Sequence, residues 1–311
     1  METNLPLTCP CKLKSNLLRV EGGFICQNEE CEHFKTDGIF PIVNEIPVLV
    51  SEKRCDTVCI EGSNQTYIER PLSGFSRLKK LIVGESKTTK ANCRLFIEEL
   101  ISKNKRPKVL MIGSGEKGSG TEELWNNKEI EIHGIDIYGS ESVDVICDAH
   151  YLPLKDGYYD GVWIQAVLEH VLEPTLVVSE IHRVLRVNGL VYAETPFMQQ
   201  VHEGAYDFTR FTVLGHRYLF RKFESVRLGG NKGPELVFAW ATRYLIWSVT
   251  RSRYVGRIFG LGIGLLVRPL KYLVSKESMF DASSGVFFLG RKSEGNVLTH
   301  KEAVQLYAGQ M

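Results

Sequence analysis

The stretch VLMIGSGEKGSG, residues 109–120, restricts the possible folds of this chain more than any other. A short apolar run, residues 108–112, leads directly into glycines that fit the pattern G-x-G-x-x-G. Glycines at this spacing let the backbone turn sharply and come close to a ligand. An apolar run that ends in such a turn is typical of a buried parallel strand. The pattern does not by itself specify which ligand the turn holds.

Further apolar runs follow at the spacing of an α/β fold. Together with the first run they predict five strands, at residues 108–112, 130–137, 143–147, 159–164 and 190–194. Helices are predicted over residues 95–102 and 174–185, and another begins at Thr121. Strands that alternate with helices favour a Rossmann-like, mostly parallel sheet. The chain has 311 residues, which suits one large domain with an appendage, or two domains.

A carboxylate stands at the end of the second predicted strand. This residue, Asp136, follows Gly118 by eighteen positions. At such a place a carboxylate can accept hydrogen bonds from both hydroxyls of an adenosine ribose. Both NAD and S-adenosylmethionine (SAM) contain that ribose, so the two cofactors remain open on these residues alone.

The motifs that come next distinguish the two cofactors. They run in order as VL-x-IG-x-G, Asp136, D-A-x-x-LP from Asp148, YD-x-V from Tyr159, VLEHV at 167–171 and E-I-x-RVL-x-x-NG at 180–189. This series, over residues 108–197, resembles the class I SAM-dependent methyltransferases, and closely the type 11 family. The resemblance implies a seven-stranded sheet with helices on both faces, in which residues 223–228 form the sixth strand and residues 285–292 form an antiparallel last strand. It also implies SAM as the cofactor and methyl transfer as the reaction.

The resemblance assigns cofactor contacts to residues beyond four strands. The implied set is Ile112, Gly113, Ser114, Gly115, Asp136, Ile137, Asp148, Ala149, Gln165 and Ala166. In it the glycine turn lies against the methionine part of SAM, and Asp136 holds the ribose. Asp148 accepts from the adenine amino group, with Ala149 packing nearby, and the residues from Gln165 face the sulfonium. As an alternative, Asp148 could simply cap a helix or turn.

One position departs from the family pattern. Met111 stands where the family usually has Asp or Glu, a carboxylate that helps to anchor the loop and the charged amino end of the cofactor. Since Met cannot do this, the departure predicts weaker SAM binding unless another group such as Glu116 substitutes.

Candidate catalytic residues follow the fourth and fifth predicted strands, because open α/β sheets bind ligands beyond the carboxyl ends of their strands. They are His170, His202, Asp207 and Arg210. His202 could act as a general base near neutral pH, and Arg210 could hold an anionic group of the substrate. Alternatively, Asp207 and Arg210 form a buried pair that fixes the loop, and His170 is a polar residue packed beside a helix.

The chain has eight cysteines, and four of them form two pairs near its beginning. These four are Cys9, Cys11, Cys26 and Cys31. Two cysteine pairs joined by a hairpin can supply the tetrahedral set that structural zinc needs, although C-x-C replaces the usual C-x-x-C and His33 could replace one ligand. With its FPIVNEIPVL end, residues 40–49, the segment resembles the small zinc-ribbon-like domain found beside many methyltransferases. Buried free thiols in a reducing cytosol are the alternative.

These features predict the division of the chain. A zinc-ribbon-like domain covers residues 1–52, and a linker with helices covers 53–90. A methyltransferase domain covers 91–293 and contains an insertion at 231–283. The remaining residues form a C-terminal tail, 294–311.

The insertion has an unusual charge distribution. Residues 236–276 contain five Arg and two Lys but neither Asp nor Glu, and aromatic and apolar residues lie between the charges. Such a composition suits a helix pair at the surface of an anionic membrane. A lid over the substrate, a dimer surface and an RNA contact are the alternatives. Because residues 1–10 lack a basic flank followed by an apolar core, we expect a cytoplasmic protein that can lie at a membrane surface.

Three functions are compatible with these observations. The first is a SAM-dependent methyltransferase for a small-molecule, sugar or lipid-linked acceptor. The second is an RNA methyltransferase, although the net charge of +1 gives no overall attraction to nucleic acid. The third is a non-catalytic partner protein with a methyltransferase-like fold.

Overall fold

The computed structural model of the protein describes residues 5–34, 39–50, 86–295 and 297–310. Most of the predicted linker, with Cys55 and Cys59, lies outside the described residues. Eleven strands occur in the described part of the chain: β1 Leu17–Val20, β2 Gly23–Cys26, β3 Phe40–Val43, β4 Ile46–Pro47, β5 Lys108–Ile112, β6 Glu131–Asp136, β7 Val145–Ile146, β8 Tyr159–Gln165, β9 Leu185–Pro196, β10 Phe223–Asn231 and β11 Gly285–Lys292.

Seven of these strands form one large sheet in the order β7-β6-β5-β8-β9-β11-β10. Strands β5 to β9 pair in parallel, while β11 runs antiparallel to both of its neighbours. The seven predicted strands are therefore confirmed, including the reversed last strand. The order reverses beside β5, which is where open α/β sheets bind their ligands.

The fifth strand of this sheet differs from its prediction. It was expected over residues 190–194 after a helix and an Asn-Gly turn, but β9 begins at Leu185. Asn188 adopts a left-handed conformation inside the strand, with φ of 64°. The register of the pairing between β8 and β9 shifts between Tyr159 and Gly161, opposite this part of β9. The Asn-Gly pair therefore makes an irregularity within a strand rather than a turn before it.

Helices cover both faces of the large sheet, as predicted. They are α1 Lys87–Ile101, α2 Glu122–Trp125, α3 Pro174–Val184, α4 Val213–Leu219, α5 Pro234–Thr250, α6 Arg253–Val267, α7 Lys276–Ala282 and α8 His300–Gln305. Alternate side chains of β5 point to opposite faces of the sheet, as the pleat requires. Leu110 and Ile112 pack in the cluster that contains α3. Val109 and Met111 pack in the cluster that contains α1.

The cysteine-containing segment forms a small module with its own antiparallel sheet, in the order β1-β2-β3-β4. This module lies directly against the large sheet. Leu7 makes a bridge with Leu154, and Val48 makes one with Ile146 at the end of β7. The Lys14 ammonium also donates to Glu180 of α3 at 3.2 Å. The buried cysteines belong to the same apolar cluster as the residues of α3, so module and sheet share one core.

The insertion between β10 and β11 consists of α5, α6 and α7. Helices α5 and α6 pack closely because small residues of α6 meet the backbone of α5. A Cβ at Gly256 would lie 2.7 Å from the carbonyl oxygen of Arg243. The buried residues of the pair are all small, namely Ala239, Gly256 and Gly264, so the described residues of the hairpin have only a thin core. Among the described helices, none has the length and apolar character needed to cross a bilayer.

Candidate active site

Four parallel strands end at one edge of the large sheet. Their last residues are Ile112 of β5, Asp136 of β6, Gln165 of β8 and Pro196 of β9. Because the strands are parallel, their carboxyl ends place the predicted cofactor and catalytic residues at this common edge.

The glycine turn after β5 is held close to β6 by backbone hydrogen bonds. The N–H groups of Gly113 and Ser114 both donate to the carbonyl oxygen of Ile135, at 2.9 and 3.1 Å. Gly113 has φ of 77°, in the region that favours glycine. A Cβ there would lie 2.2 Å from Cγ2 of Val167. The turn therefore needs glycine both for its backbone conformation and for the close approach of the segment after β8.

Asp136 connects the glycine turn to the end of β6. One carboxylate oxygen accepts from the N–H of Gly115 at 2.7 Å, and the other accepts from its own neighbour, Ile137, at 2.7 Å. Burial raises the pKa of Asp136 to about 6, against the opposing effect of these backbone donors. A partly exposed carboxylate fixed in this way has lone pairs left for the two hydroxyls of a ribose.

Two side chains lie over the glycine turn from outside. The Tyr138 ring is 2.4 Å from the place that a Cβ of Gly115 would take. Gln165 donates to the carbonyl oxygen of Ser119 at 3.3 Å and accepts from Trp163 at 3.3 Å. The next residue, Ala166, has φ of 55°, which is uncommon for a residue with a Cβ. Backbone strain at the end of β8 is typical of functional sites in α/β folds.

Asp148 lies beyond β7 and is buried. Its Oδ1 accepts from the backbone N–H of His150 at 2.9 Å and from His150 Nδ1 at 2.6 Å. The other ring nitrogen of His150 accepts from the N–H of Glu173 at 3.2 Å. Asp148 thus caps the short turn Ala149–Tyr151, as the alternative interpretation allows.

Met111 points into the apolar cluster on the face of α1, where it is 4% exposed. Phe96, Trp163 and Tyr192 belong to the same cluster. The substitution of the family's carboxylate thus places an apolar side chain in apolar surroundings. The glycine turn is held by the contacts of β6 described above.

The predicted catalytic histidines come together beside a carboxylate that sequence reasoning missed. The ring centroids of His170 and His202 are 4.9 Å apart. Glu169 Oε1 lies 3.6 Å from His170 Nε2 and 3.8 Å from His202 Nε2. The Glu169 residue is fully buried, and neither carboxylate oxygen has a hydrogen-bond partner among the described residues. Burial raises the pKa of Glu169 to about 8.

A second pair of residues supports the histidines. His202 Nδ1 lies 3.1 Å from Oδ2 of Asp207, and Arg210 binds both oxygens of that carboxylate. Burial alone would raise the pKa of Asp207, but the hydrogen bond from Arg210 lowers it to about 2. Arg210 also donates to the carbonyl oxygen of Gln199 at 3.1 Å. The pair fixes the loop after β9, which is the arrangement that the alternative interpretation describes.

Another polar network that the sequence did not reveal lies at the end of β9. Glu194 accepts from Tyr192 at 2.6 Å and from Thr89 at 2.8 Å, and it also accepts from Asn231 at the start of the insertion. Burial raises the pKa of Glu194 although these donors oppose the change. The network joins α1, β9 and β10 beside the candidate site.

The four predicted zinc ligands also come together. All four Sγ atoms lie within 4.8 Å of one another, and those of Cys9 and Cys31 are 3.6 Å apart. Sulfur atoms around a tetrahedral zinc ion are about 3.8 Å apart, since each Zn–S bond is about 2.3 Å. His33 lies outside this group and donates its backbone N–H to the Cys31 sulfur at 3.4 Å. Burial raises the pKa of Cys31 to about 12, whereas hydrogen bonds to Cys11 outweigh burial and lower the pKa of that thiol. The donor set fits zinc.

Comparison with known proteins agrees with the family that the motifs indicate. Residues 110–193 match the family model described as a methyltransferase domain. No curated protein matches the chain. The match confirms the expected enzyme class, a SAM-dependent methyltransferase, and the sheet order is that of the class I fold.

Several solved structures resemble the protein at low identity. A SAM-dependent methyltransferase from Archaeoglobus fulgidus is 19% identical, with 70% of this chain and 99% of that chain covered and a TM-score of 0.44. The phosphoethanolamine N-methyltransferase 2 of Haemonchus contortus, in complex with SAM, is 15% identical. The match covers 66% of this chain and 53% of that chain, with a TM-score of 0.43. The [4+2]-cyclase SpnF is 18% identical. The match covers 66% of this chain and 82% of that chain, with a TM-score of 0.41.

Proposed function

We propose that this protein transfers a methyl group from SAM to a small or lipid-linked acceptor at a membrane surface. The observation that carries the proposal is the common edge of the sheet, where the glycine turn and Asp136 share the edge with the cluster of Glu169, His170 and His202. A cofactor site next to proton-transfer groups is what methyl transfer to a polar atom requires.

In this proposal the glycine turn and the ends of three strands hold the cofactor. Gly113–Gly115 contact its methionine part, Asp136 binds the ribose hydroxyls, and Asp148 and Ala149 lie at the adenine. Gln165 and Ala166 face the sulfonium, which supplies an activated methyl group when SAM is bound.

The residues beyond β8 and β9 act on the acceptor. His170 donates through Nδ1 to the carbonyl oxygen of Tyr206 at 2.6 Å, so its Nε2 faces the cluster. Together with His202, the His170 ring assists removal of the proton that the acceptor loses. Asp207 and Arg210 are positioning residues in this proposal, because their bonds are made to His202 and to the loop itself.

The insertion supplies the membrane contact. Its exposed side chains include large apolar residues of both helices and of the segment that follows, among them Leu245, Val249, Phe259, Leu265, Leu266, Tyr272 and Leu273. Leu273 is 80% exposed. Seven cations and no acidic residue occur over 236–276, so the surface is complementary to anionic lipid. Tyr244 of α5 donates to the carbonyl oxygen of Val201 at 3.1 Å, which joins this surface to the loop that carries His202.

The thiol cluster has a separate role. We infer that Cys9, Cys11, Cys26 and Cys31 bind a structural zinc ion, since four protein ligands leave no position open for a substrate. The module then stabilises the sheet through the core that the two share.

Two measurements test this proposal. Calorimetric titration with SAM should give saturable binding of one equivalent, and no binding at millimolar SAM would contradict the enzyme. Flotation with vesicles that contain phosphatidylglycerol should carry the protein, whereas phosphatidylcholine vesicles should not. The double variant Arg253→Glu/Arg257→Glu should lose flotation, while the exposed control Arg94→Glu should keep it. Equal flotation of both variants would contradict an electrostatic membrane contact.

A further inference from the structure

The cluster beyond β8 and β9, with Glu169 buried at its base, has the composition of a metal site. Glu169, His170 and His202 each direct one ligand atom into a common space, and these atoms lie within 4.8 Å of one another. Two imidazoles and one carboxylate on one side of an ion form a set that leaves other coordination positions open. The four thiols of the N-terminal module differ in this respect, because they close the coordination sphere.

The distances are close to those that a bound ion requires. Glu169 Oε1 is 3.6 Å from His170 Nε2 and 3.8 Å from His202 Nε2. Ligand atoms about 2.0–2.1 Å from a tetrahedral ion are about 3.3 Å apart. Side-chain movements of a few tenths of an ångström would therefore bring Glu169 Oε1 to this spacing from each of the two Nε2 atoms.

The hydrogen bonding of the cluster is also that of metal ligands. Glu169 is fully buried, yet both of its oxygens lack a hydrogen-bond partner among the described residues, and so does the buried Nε2 of His170. A buried carboxylate without partners is strongly unfavourable. An ion bound to its oxygen and to the two Nε2 atoms would compensate all of these groups at once.

The remaining ring nitrogens have the outer partners that orient metal-binding histidines. His170 Nδ1 donates to the Tyr206 carbonyl oxygen at 2.6 Å, and His202 Nδ1 lies 3.1 Å from the Asp207 carboxylate. Such carbonyl and carboxylate partners fix the orientation of the two rings. Arg210 in turn holds Asp207 in place.

We propose that Glu169, His170 and His202 bind a divalent metal ion, and that the methyl acceptor is a hydroxyl group placed beside that ion. The inference rests on the proposed methyl transfer and gives the histidines a more specific role in it. The ion favours loss of the hydroxyl proton, which passes to a water molecule. The acceptor oxygen then forms a bond with the methyl carbon of SAM. The carbon–sulfur bond breaks, and its electron pair remains on sulfur to give S-adenosylhomocysteine.

The test is a calorimetric titration of the full, zinc-loaded chain with Mn²⁺ and, separately, with Co²⁺. We expect one equivalent of at least one of these ions to bind in addition to the zinc. Glu169→Gln, which keeps the side-chain shape, and His202→Ala, which changes a partly exposed side chain, should each weaken binding at least tenfold. His300→Ala, a histidine of α8 outside the cluster, should leave it unchanged. Asp207→Asn should weaken it about tenfold by disturbing an outer partner.

Binding of neither ion would overturn the inference, and so would equal binding by the wild type, Glu169→Gln and His202→Ala. A titration with SAM separates this result from failure of the proposed function. Glu169→Gln that still binds SAM but has lost the metal ion supports the inference. A wild type that binds SAM and no ion contradicts the metal site alone, while a wild type that does not bind SAM contradicts the proposed function.

Discussion

Two clusters of ligating side chains lie in this protein, and they differ in how they are supported. The four thiols of the N-terminal module are held by a small four-stranded sheet and turns, and all four residues are buried. Glu169, His170 and His202 follow strands of a large sheet, and the side chain of His202 remains 29% exposed. A small module depends on its ligands for its fold, whereas a large sheet can carry reactive groups that contribute little to stability.

The largest effect is expected from breaking the thiol cluster. Cys26→Ser should remove one equivalent of zinc and unfold the module, because structural zinc contributes about 10 kcal/mol or more to the folding of small modules. The melting temperature of the whole chain should also fall, since module and sheet share a core. Metal analysis and thermal denaturation measure the two effects. Cys93→Ser, a buried cysteine of α1, is the control and should retain the zinc. A Cys26→Ser protein with full zinc content would remove the distinction between the two clusters.

The support of the histidine cluster can be broken separately. Arg210→Met leaves the buried Asp207 carboxylate without its charged partner, which should destabilise the fold by about 3 kcal/mol. Denaturation by urea measures this change. Arg94→Met, which breaks an exposed ion pair with Glu123, should leave the midpoint of urea denaturation nearly unchanged. Similar results for the two variants would show that the Asp207–Arg210 pair does not hold the loop.

A substitution at the end of β6 should lower the affinity for SAM without lowering the stability of the fold. Asp136→Asn removes the charge that binds the ribose hydroxyls, and hydrogen bonds to charged groups contribute about 1.5–3 kcal/mol. We therefore expect the Kd for SAM to rise about 10- to 100-fold in calorimetry. Glu141→Gln, an exposed neighbour, should bind like the wild type. An unchanged Kd in Asp136→Asn would mean that SAM does not contact the end of β6.

The smallest expected effect is a pH dependence at the same residue. The pKa of Asp136 is about 6, so most of the carboxylate is ionised at pH 7 and protonated at pH 5. A protonated carboxyl group accepts poorly from two hydroxyls, so the Kd for SAM should rise about tenfold from pH 7 to pH 5. In Asp136→Asn this rise should be absent. A rise of equal size in the variant would assign the titration to another group.

The sequence predicts the strands of the molecule better than the candidate site that these strands position. Strands β5 and β11 have the predicted bounds because each is a short apolar run bordered by glycine or charge. The start of β9 was predicted wrongly, since Asn-Gly usually marks a turn and here lies inside a strand. Local patterns determine strands, but tertiary pairing decides how far each one extends.

The candidate site likewise depends on tertiary contacts that local sequence patterns do not determine. His170 and His202 could be suggested separately from their positions after strands, but their contact joins residues 32 positions apart in the sequence. Glu169 was missed because it lies in the apolar motif VLEHV, where core packing is the simpler interpretation. The signal was present, since a carboxylate within a buried apolar run needs a partner. The identity of that partner depends on the loop after β9.

The central claim is that SAM lies across the sheet edge with its methyl group toward Glu169 and His202. Ultraviolet cross-linking with SAM labelled in its methyl group, followed by peptide mapping, tests this claim most directly. We predict label in the peptides that contain residues 165–171 or 196–212, and loss of the label when S-adenosylhomocysteine is in excess. Label in the cysteine module or in the α5–α6 hairpin would contradict the account, as would labelling that S-adenosylhomocysteine does not suppress.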